Sequence, residues 1–346
     1  MERREPLLHR FGDLASRIGS RPPSSRPLRV ALQVGVAVLI FGFLVLTVVG
    51  QWDELKRKGV ELDLIWLLPA LAVLPVFYVL SAVGWELIVR FLGWRLTPVR
   101  AQVAWGQPLL ARYVPGSVLY LLGRLLLSER AGVPRRVTLA SIVYEQALGF
   151  ASGVAFVSYF LISHPDLEGE PLRWAVLVVV PLSVLLLSPR VFGPLSERLL
   201  RAFGREPLPA AMPLRGVIAM LAFYLLNWGV ASLGVYFAAR SVHFIPADQI
   251  PAVGAAQAFG YVAALVTLVA PAGLGVRDAA FAWAVKVALP SGSFAVGAVI
   301  ALAVRATLTI VELIYVGAVT VLGRRETRAA AKRPGPSAQS GTRVAR

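Results

Sequence analysis

Cysteine is absent from this 346-residue chain, and histidine occurs only three times, at His9, His164 and His243. Without cysteine the protein has no disulfide framework, no thiolate zinc site and no cysteine nucleophile. Because the three histidines are widely separated in the sequence, they also argue against a histidine-rich metal site. We therefore expect neither a metal ion nor another cofactor.

Charged residues are scarce as well, at 16% of the sequence, whereas hydrophobic residues make up 57%. The mean hydropathy is +0.69. Several apolar runs exceed the roughly 20 residues that an α-helix needs to span a bilayer. A soluble domain of this length does not have such a composition. The sequence predicts an all-α polytopic membrane protein.

The net charge of +16 is concentrated in two basic tails, residues 1–29 and 323–346, which flank a membrane domain over residues 30–322. Lysine and arginine beside a membrane span favour the cytoplasmic side. Both termini are therefore predicted to be cytoplasmic, in an inner or plasma membrane, with an even number of crossings. Basic tails of this kind contact anionic lipid, which we favour over binding to nucleic acid.

The apolar runs predict six or eight transmembrane helices. The region 250–290 is either two short spans or a re-entrant hairpin, since 276–289 is only just long enough to cross. Residues 190–215 suit an amphipathic helix on the inner surface, with a solvated connector as the alternative. The six spans common to both counts are residues 30–49, 66–92, 138–163, 174–187, 214–239 and 294–322, and the count of eight adds 250–269 and 276–289.

Two charged Pro-Gly interruptions break the membrane domain, one from Arg112 through Pro115 and Gly116 to Arg124, the other from Pro271 to Asp278. Backbone groups left unpaired by such breaks are tolerated in the hydrocarbon region only where they face protein or a water-filled cavity. Paired broken segments indicate a substrate site. We expect residues 101–127 to form a re-entrant hairpin. If both breaks are hairpins, one enters from each side, as in an inverted repeat.

Several ionisable residues fall inside the apolar runs, where each charge costs about 3 kcal/mol or more unless it is paired or hydrated. Glu145, Arg277 and Arg305 are the strongest site candidates. Arg305 and Glu312 are about 10 Å apart along one helix face, so they do not simply neutralise each other. Three others have ordinary explanations. Asp278 can cap a helix, Lys286 can snorkel outward, and Glu86 with Arg90 suits a local i,i+4 ion pair.

Tryptophans fall near the predicted ends of the spans, where indole rings prefer the membrane interface. We interpret them as interfacial anchors rather than as a cofactor-binding box. The residues are Trp52, Trp66, Trp94, Trp105 and Trp174.

The order of short motifs along residues 30–322 resembles the transmembrane domain of the lysylphosphatidylglycerol synthase/flippase family. The motifs are Arg112-Tyr-Val-Pro-Gly-Ser, Arg124, Ala131-Gly-Val133, Ser141-Ile-Val-Tyr-Glu145, Pro271-Ala-Gly-Leu-Gly-Val-Arg-Asp278 and Arg305. Gln146 and Asp278 depart from the usual Arg and Glu of that pattern. The resemblance implies a membrane protein that moves a phospholipid or polyprenyl-linked head group between leaflets.

Guanidinium groups bind phosphate in bidentate fashion and remain charged, so arginines are expected to hold an anionic head group. Carboxylates would orient those arginines or receive an amine, and glycines would allow close approach of the backbone. The expected substrate-binding residues are Arg112, Pro115, Gly116, Arg124, Glu145, Gly273, Gly275, Arg277, Asp278 and Arg305.

Two other classes of function stay open. A membrane-embedded transferase could use Glu145 as a general base, although the sequence shows no nucleotide-binding loop or catalytic triad. A structural or regulatory subunit of a lipid- or glycan-modifying system would use the buried charges as mutual ion pairs. We expect no enzymatic activity, because no soluble aminoacyl-transferase domain follows the last span. A homo-oligomer is an open alternative.

Overall fold

The computed structural model describes residues 62–113, 118–163, 174–202, 207–208, 211–267, 276–289 and 294–332. These residues form ten α-helices and contain no strand, which confirms the all-α prediction. The helices are α1 (Leu64–Phe91), α2 (Pro98–Gly106), α3 (Val118–Arg130), α4 (Arg135–Ser163), α5 (Ala175–Leu187), α6 (Pro189–Ala202), α7 (Leu214–Arg240), α8 (Ile250–Thr267), α9 (Val276–Ala288) and α10 (Phe294–Lys332). Two 3₁₀ segments, Gln107–Tyr113 and Ala247–Gln249, complete the description.

Four of these helices, α1, α4, α7 and α10, are long and apolar enough to cross a membrane. A fifth crossing results if α5 and α6, which bend by 62° at their junction, are taken as one broken span. The predicted span at 30–49 lies outside the described residues. The protein is therefore a multi-pass membrane protein, and the predicted total of six or eight spans includes a part of the chain beyond this description.

The first Pro-Gly break lies between two short helical arms. The leading arm is α2 with the 3₁₀ segment Gln107–Tyr113, and the returning arm is α3, which has 13 residues. At 1.5 Å per residue, a helix of that length reaches only about 20 Å, less than the roughly 30 Å of the hydrocarbon core. We call this unit, residues 98–130, hairpin 1. The re-entrant course expected for residues 101–127 stays a prediction.

The second break lies between α8, with 18 residues, and α9, with 13 residues. Like α3, α9 reaches only about 20 Å, so we call residues 250–288 hairpin 2. The arms pack backbone to backbone, since a Cβ on Gly260 would lie 2.7 Å from the carbonyl oxygen of Arg277. A Cβ on Gly297 of α10 would lie 2.2 Å from the carbonyl oxygen of Ala282. Small residues of this kind let membrane helices approach closely.

Helix packing follows a reciprocal pattern between two halves, α1 to α4 and α7 to α10. Helix α1 packs against its counterpart α7. Helix α2 of the first half packs against α10 of the second half. Its counterpart α8 in the second half packs against α4 of the first half. The pairs α4 with α7 and α10 with α1 are reciprocal in the same way. A pseudo-two-fold axis would produce such reciprocity, and the inverted repeat stays a prediction.

Helix ends that the sequence assigns to one side of the membrane lie together. The amide of Asp63, before α1, donates to the carbonyl of Ser241, after α7, at 2.7 Å. At the other end, Arg100 of α2 forms a salt bridge with Glu326 of α10 at 3.3 Å. We call the end containing Arg100 and Glu326 the basic side. It carries Arg90, Arg95, Arg100, Arg130, Arg135, Arg215, Arg324, Arg325 and Arg328.

Helix α5 has 13 residues, about 20 Å in length, so it is too short by itself to make the predicted crossing at 174–187. The chain turns at Ser188 into α6, whose Phe192 is buried against Tyr144 at a ring distance of 4.3 Å. Charged residues such as Arg198 and Arg201 are exposed on the same helix. Helix α6 is thus amphipathic, as the sequence predicts for residues 190–215.

Candidate substrate site

Glu145 links both arms of hairpin 1 to α4. Its Oε1 accepts a hydrogen bond from the indole of Trp105 on α2 at 2.6 Å, and its Oε2 accepts one from Arg124 on α3 at 2.5 Å. The carboxylate lies ten residues into α4, about 15 Å from the start of the helix, which is half the thickness of a hydrocarbon core. Glu145 is therefore a buried charge whose two oxygens are both bonded.

Arg124 is fully buried, with 0% of its surface exposed. Its guanidinium lies over the ring of Trp85 at 4.9 Å and donates to the hydroxyl of Tyr120 at 3.3 Å. Trp85 is itself fixed by a 2.8 Å hydrogen bond to Ser141 of α4. The aromatic walls and Glu145 explain how a complete positive charge is accommodated in this layer.

Glu312 forms the second buried ion pair, with Arg112 at the end of the leading arm of hairpin 1. The hydroxyl of Tyr78 on α1 also donates to Glu312, at 3.5 Å. The Glu312 side chain is 1% exposed, whereas that of Arg112 is 34% exposed. Arg112 is therefore an accessible arginine whose charge is balanced from a buried position.

Arg277 and Asp278 occupy the first turn of α9, directly after the second break. Arg277 is partly buried and interacts electrostatically with Arg305, Asp278 and Arg112. Arg305 is buried in α10, about 17 Å from the start of that helix. Arg277 is therefore within electrostatic reach of Arg305 and of Arg112 at the end of the leading arm of hairpin 1, and we call these three arginines the arginine cluster.

Three tyrosines that the sequence analysis did not select surround Glu145. Tyr120, Tyr224 and Tyr261 are each close enough to Glu145 for its charge to act on their hydroxyls. Tyr261 is also within electrostatic reach of Arg277 and of Arg112. It thereby joins the environment of Glu145 to the arginine cluster. Tyrosine is too common in membrane helices for its presence alone to predict this role.

Glu312 was recognised from sequence as an intramembrane charge but not as a site residue. Its partner is Arg112, 200 positions away in the chain, a pairing that no local spacing predicts. Trp105 was expected to be an interfacial anchor, and that prediction is wrong. It is 6% exposed, and its indole N–H is used by Glu145. An indole provides a donor that a buried carboxylate needs.

Four of the expected site residues, Pro115, Gly116, Gly273 and Gly275, lie outside the described residues. Elsewhere, the predicted ion pair between Glu86 and Arg90 is confirmed, with a 2.9 Å contact on one turn of α1. Lys286 is exposed on α9, in agreement with a snorkelling side chain. The parts of the chain that the structure describes contain no group of residues suited to a metal ion.

The assembled guanidinium groups are of a kind that can bind an anion. Arg124 pairs with Glu145 and Arg112 pairs with Glu312, while Arg277 is influenced by the charges of Asp278 and Arg305. Guanidinium groups bind pairs of phosphate oxygens. Partial burial strengthens each such contact, because less water competes for the charges.

A comparison with known protein families matches residues 30–315 to the family described as Lysylphosphatidylglycerol synthase TM region. A comparison with curated proteins found no significant match. The family match covers most of the chain and includes both hairpins and every charged residue of the site. The chain is therefore a multi-pass member of the lipid-related lysylphosphatidylglycerol synthase TM region family.

Proposed function

We propose that this protein moves a phospholipid or a polyprenyl-linked lipid between the two leaflets, with the anionic head group held by intramembrane arginines. The observation that supports this function most directly is the arginine cluster, in which Arg277 of hairpin 2 lies within electrostatic reach of Arg112 of hairpin 1 and of Arg305. Broken helices that meet near the bilayer midplane commonly form the substrate sites of transporters. The guanidinium groups of this cluster suit a head group that contains phosphate.

The residues divide into two roles under this proposal. Arg112, Arg277 and Arg305 contact the head group, since Arg112 is partly exposed and Arg277 is within electrostatic reach of both Arg112 and Arg305. Arg124 is fully enclosed and balances Glu145. Asp278 orients Arg277 or receives an amine of the lipid. Reciprocal packing of the two halves gives a physical basis for exposing the cluster to either side in turn.

The basic side faces the cytoplasm of a plasma or inner membrane under this proposal, and both termini are cytoplasmic. Arginine accumulates at that end of the helices and is sparse at the end marked by Asp63 and Ser241. This asymmetry follows the positive-inside rule. The protein acts as a transporter without an enzymatic step, and its basic tails bind anionic lipids.

A structural or regulatory subunit is the second candidate. It is favoured by the two buried ion pairs, Arg124 with Glu145 and Arg112 with Glu312, because paired charges need no ligand. The two functions respond differently to a change from arginine to lysine. Lysine keeps the charge of an ion pair but loses the planar fork that binds two phosphate oxygens.

Lipid translocation in reconstituted vesicles tests the proposal through Arg277→Lys and Arg305→Lys. We expect both variants to fold and insert, and to translocate labelled lipid at least about tenfold more slowly, a change of about 1.4 kcal/mol. Arg90→Lys is the matched control. Arg90 forms an i,i+4 pair at the basic side, where its side chain is 56% exposed.

Near-normal translocation by both cluster variants would argue for the structural or regulatory subunit. A wild-type protein that moves no lipid but consumes a lipid-linked donor would argue instead for a membrane-embedded transferase. Slow translocation by all three variants, the control included, would show a general loss of function rather than a specific anion site.

A further inference from the structure

Arg124 has an unused hydrogen-bonding edge in the protein interior. Its Nη1 donates to Glu145 and to Tyr120. Its Nε and Nη2 are buried and have no hydrogen-bond partner among the described residues. The N–H bonds of Nε and Nη2 project from one edge of the planar guanidinium, the edge that takes two oxygens of a carboxylate or phosphate.

Burying the Nε and Nη2 donors of Arg124 without partners destabilises the folded protein unless a ligand bonds to them. Buried donors normally find a partner, and leaving a charged one unsatisfied destabilises a protein more than leaving a neutral one. A purely structural guanidinium of this kind would be expected to bond at both edges. Glu145 alone leaves the second edge of Arg124 unsatisfied.

Tyr224 of α7 provides an independent observation. Its side chain is 6% exposed, and its hydroxyl has no hydrogen-bond partner within the described part of the chain. The hydroxyl lies close enough to Glu145 and Arg124 for both charges to act on it. Another buried hydroxyl on the same helix behaves differently, because Tyr236 donates to the carbonyl of Ile245 at 3.0 Å.

We propose that the Nε–Nη2 edge of Arg124 and the hydroxyl of Tyr224 form an occluded subsite for an oxoanion, namely the phosphate of a lipid head group. The inference deepens the proposed translocation function and rests on it. Two N–H donors on one edge match two phosphate oxygens, and the tyrosine adds a third donor. The partly exposed Arg112 of the arginine cluster meets the head group first. The enclosed subsite then receives the phosphate.

Tyr224→Phe is the decisive variant, measured in the purified full-length protein in detergent. The probes are a short-chain phosphatidylglycerol and, separately, inorganic phosphate. We expect an unchanged or higher melting temperature, because the hydroxyl makes no hydrogen bond to the described protein. The dissociation constant for the lipid should rise about tenfold, the usual loss for one hydrogen bond to a charged acceptor.

Tyr236→Phe is the matched control on α7, since it removes a buried hydroxyl that is already bonded. It should lower the melting temperature and leave the dissociation constant unchanged. Arg124→Lys is a second test, because lysine keeps the charge beside Glu145 but lacks the two-donor edge. It should weaken lipid binding as Tyr224→Phe does.

Equal lipid affinity in the wild type and in Tyr224→Phe would overturn the subsite. If Arg277→Lys loses affinity while Tyr224→Phe does not, the proposed function stands and the subsite alone falls. If the wild type binds neither probe, both proposals fall. Competition by inorganic phosphate that disappears in Tyr224→Phe identifies a subsite open to free phosphate. A Tyr224 effect on the lipid alone, without such competition, identifies a subsite specific for the head group.

Discussion

Glu145 accepts hydrogen bonds from side chains of both arms of hairpin 1, Trp105 and Arg124. The sequence was sufficient to select Glu145, because a carboxylate within an apolar run must be paired or hydrated. It also selected Arg124, but not the bond between them. Tyr224 and Tyr261 could not be selected, since their role depends on helices from the other half of the chain. A charged residue in a membrane helix can be selected from sequence because its charge must be paired or hydrated. An uncharged tyrosine side chain gives no such signal.

At the residue scale we predict that Glu145→Gln destabilises the protein by about 3 kcal/mol or more, because it leaves the guanidinium of Arg124 buried without a counter-charge. The measurement is the melting temperature of the purified protein in detergent. The double variant Arg124→Met with Glu145→Gln should recover most of the loss, since the unpaired charge is then absent. A double variant that is less stable than Glu145→Gln would contradict this account of the pair.

Hairpins 1 and 2 each have a returning helix, α3 or α9, whose 13 residues are too short by themselves to cross the membrane. The sequence predicted the breaks from proline and glycine, and the re-entrant geometry expected for residues 101–127 stays a prediction. It could not decide between two short spans and a hairpin at 250–290, because apolar length alone does not fix where a helix ends. The close contacts at Gly260 and Gly297 were equally hidden, since glycine also occurs where nothing approaches it.

At the element scale we predict that Gly297→Ala destabilises the packing of α9 against α10 by about 1–3 kcal/mol, the usual cost of overpacking. Its new methyl group would lie 2.2 Å from the carbonyl oxygen of Ala282, a backbone atom that cannot move by itself. Gly317→Ala on the same helix is the control. A Cβ at Gly317 meets nothing within 4 Å, so this change should be neutral or slightly stabilising. Equal melting temperatures for the two variants would contradict the predicted clash.

The whole molecule has a strong charge asymmetry between its two ends, and this was the most predictable property of the fold. Arginines beside helix ends assign each end to a side, and the structure brings together ends with the same assignment, as at Arg100 and Glu326. The reciprocal packing of the halves could only be anticipated from the two breaks. The sequence shows no clear residue-level repeat, because helix packing conserves small and apolar character rather than identity.

The natural absence of cysteine makes the orientation directly measurable. We predict that a membrane-impermeant maleimide labels Asp248→Cys in intact cells, because Asp248 is exposed before α8 on the side away from the basic end. Arg328→Cys, exposed near the end of α10, should be labelled only after the membrane is opened. The opposite labelling pattern would invert the proposed orientation, and labelling of both in intact cells would contradict a single topology.

Helix α1 of the first half packs against α7 of the second half, so each half covers a helix surface of the other. The chain connects α6 to α7 through the segment 203–213. A Cβ at Gly234 of α7 would lie 2.5 Å from the Leu74 side chain of α1, so this contact is close and specific in shape. The protein should therefore tolerate being produced as two polypeptides, divided between Ala202 and Leu214, that find each other in the membrane and restore activity. Either fragment produced alone should be degraded, because its helix α1 or α7 would lack the partner helix that packs against it.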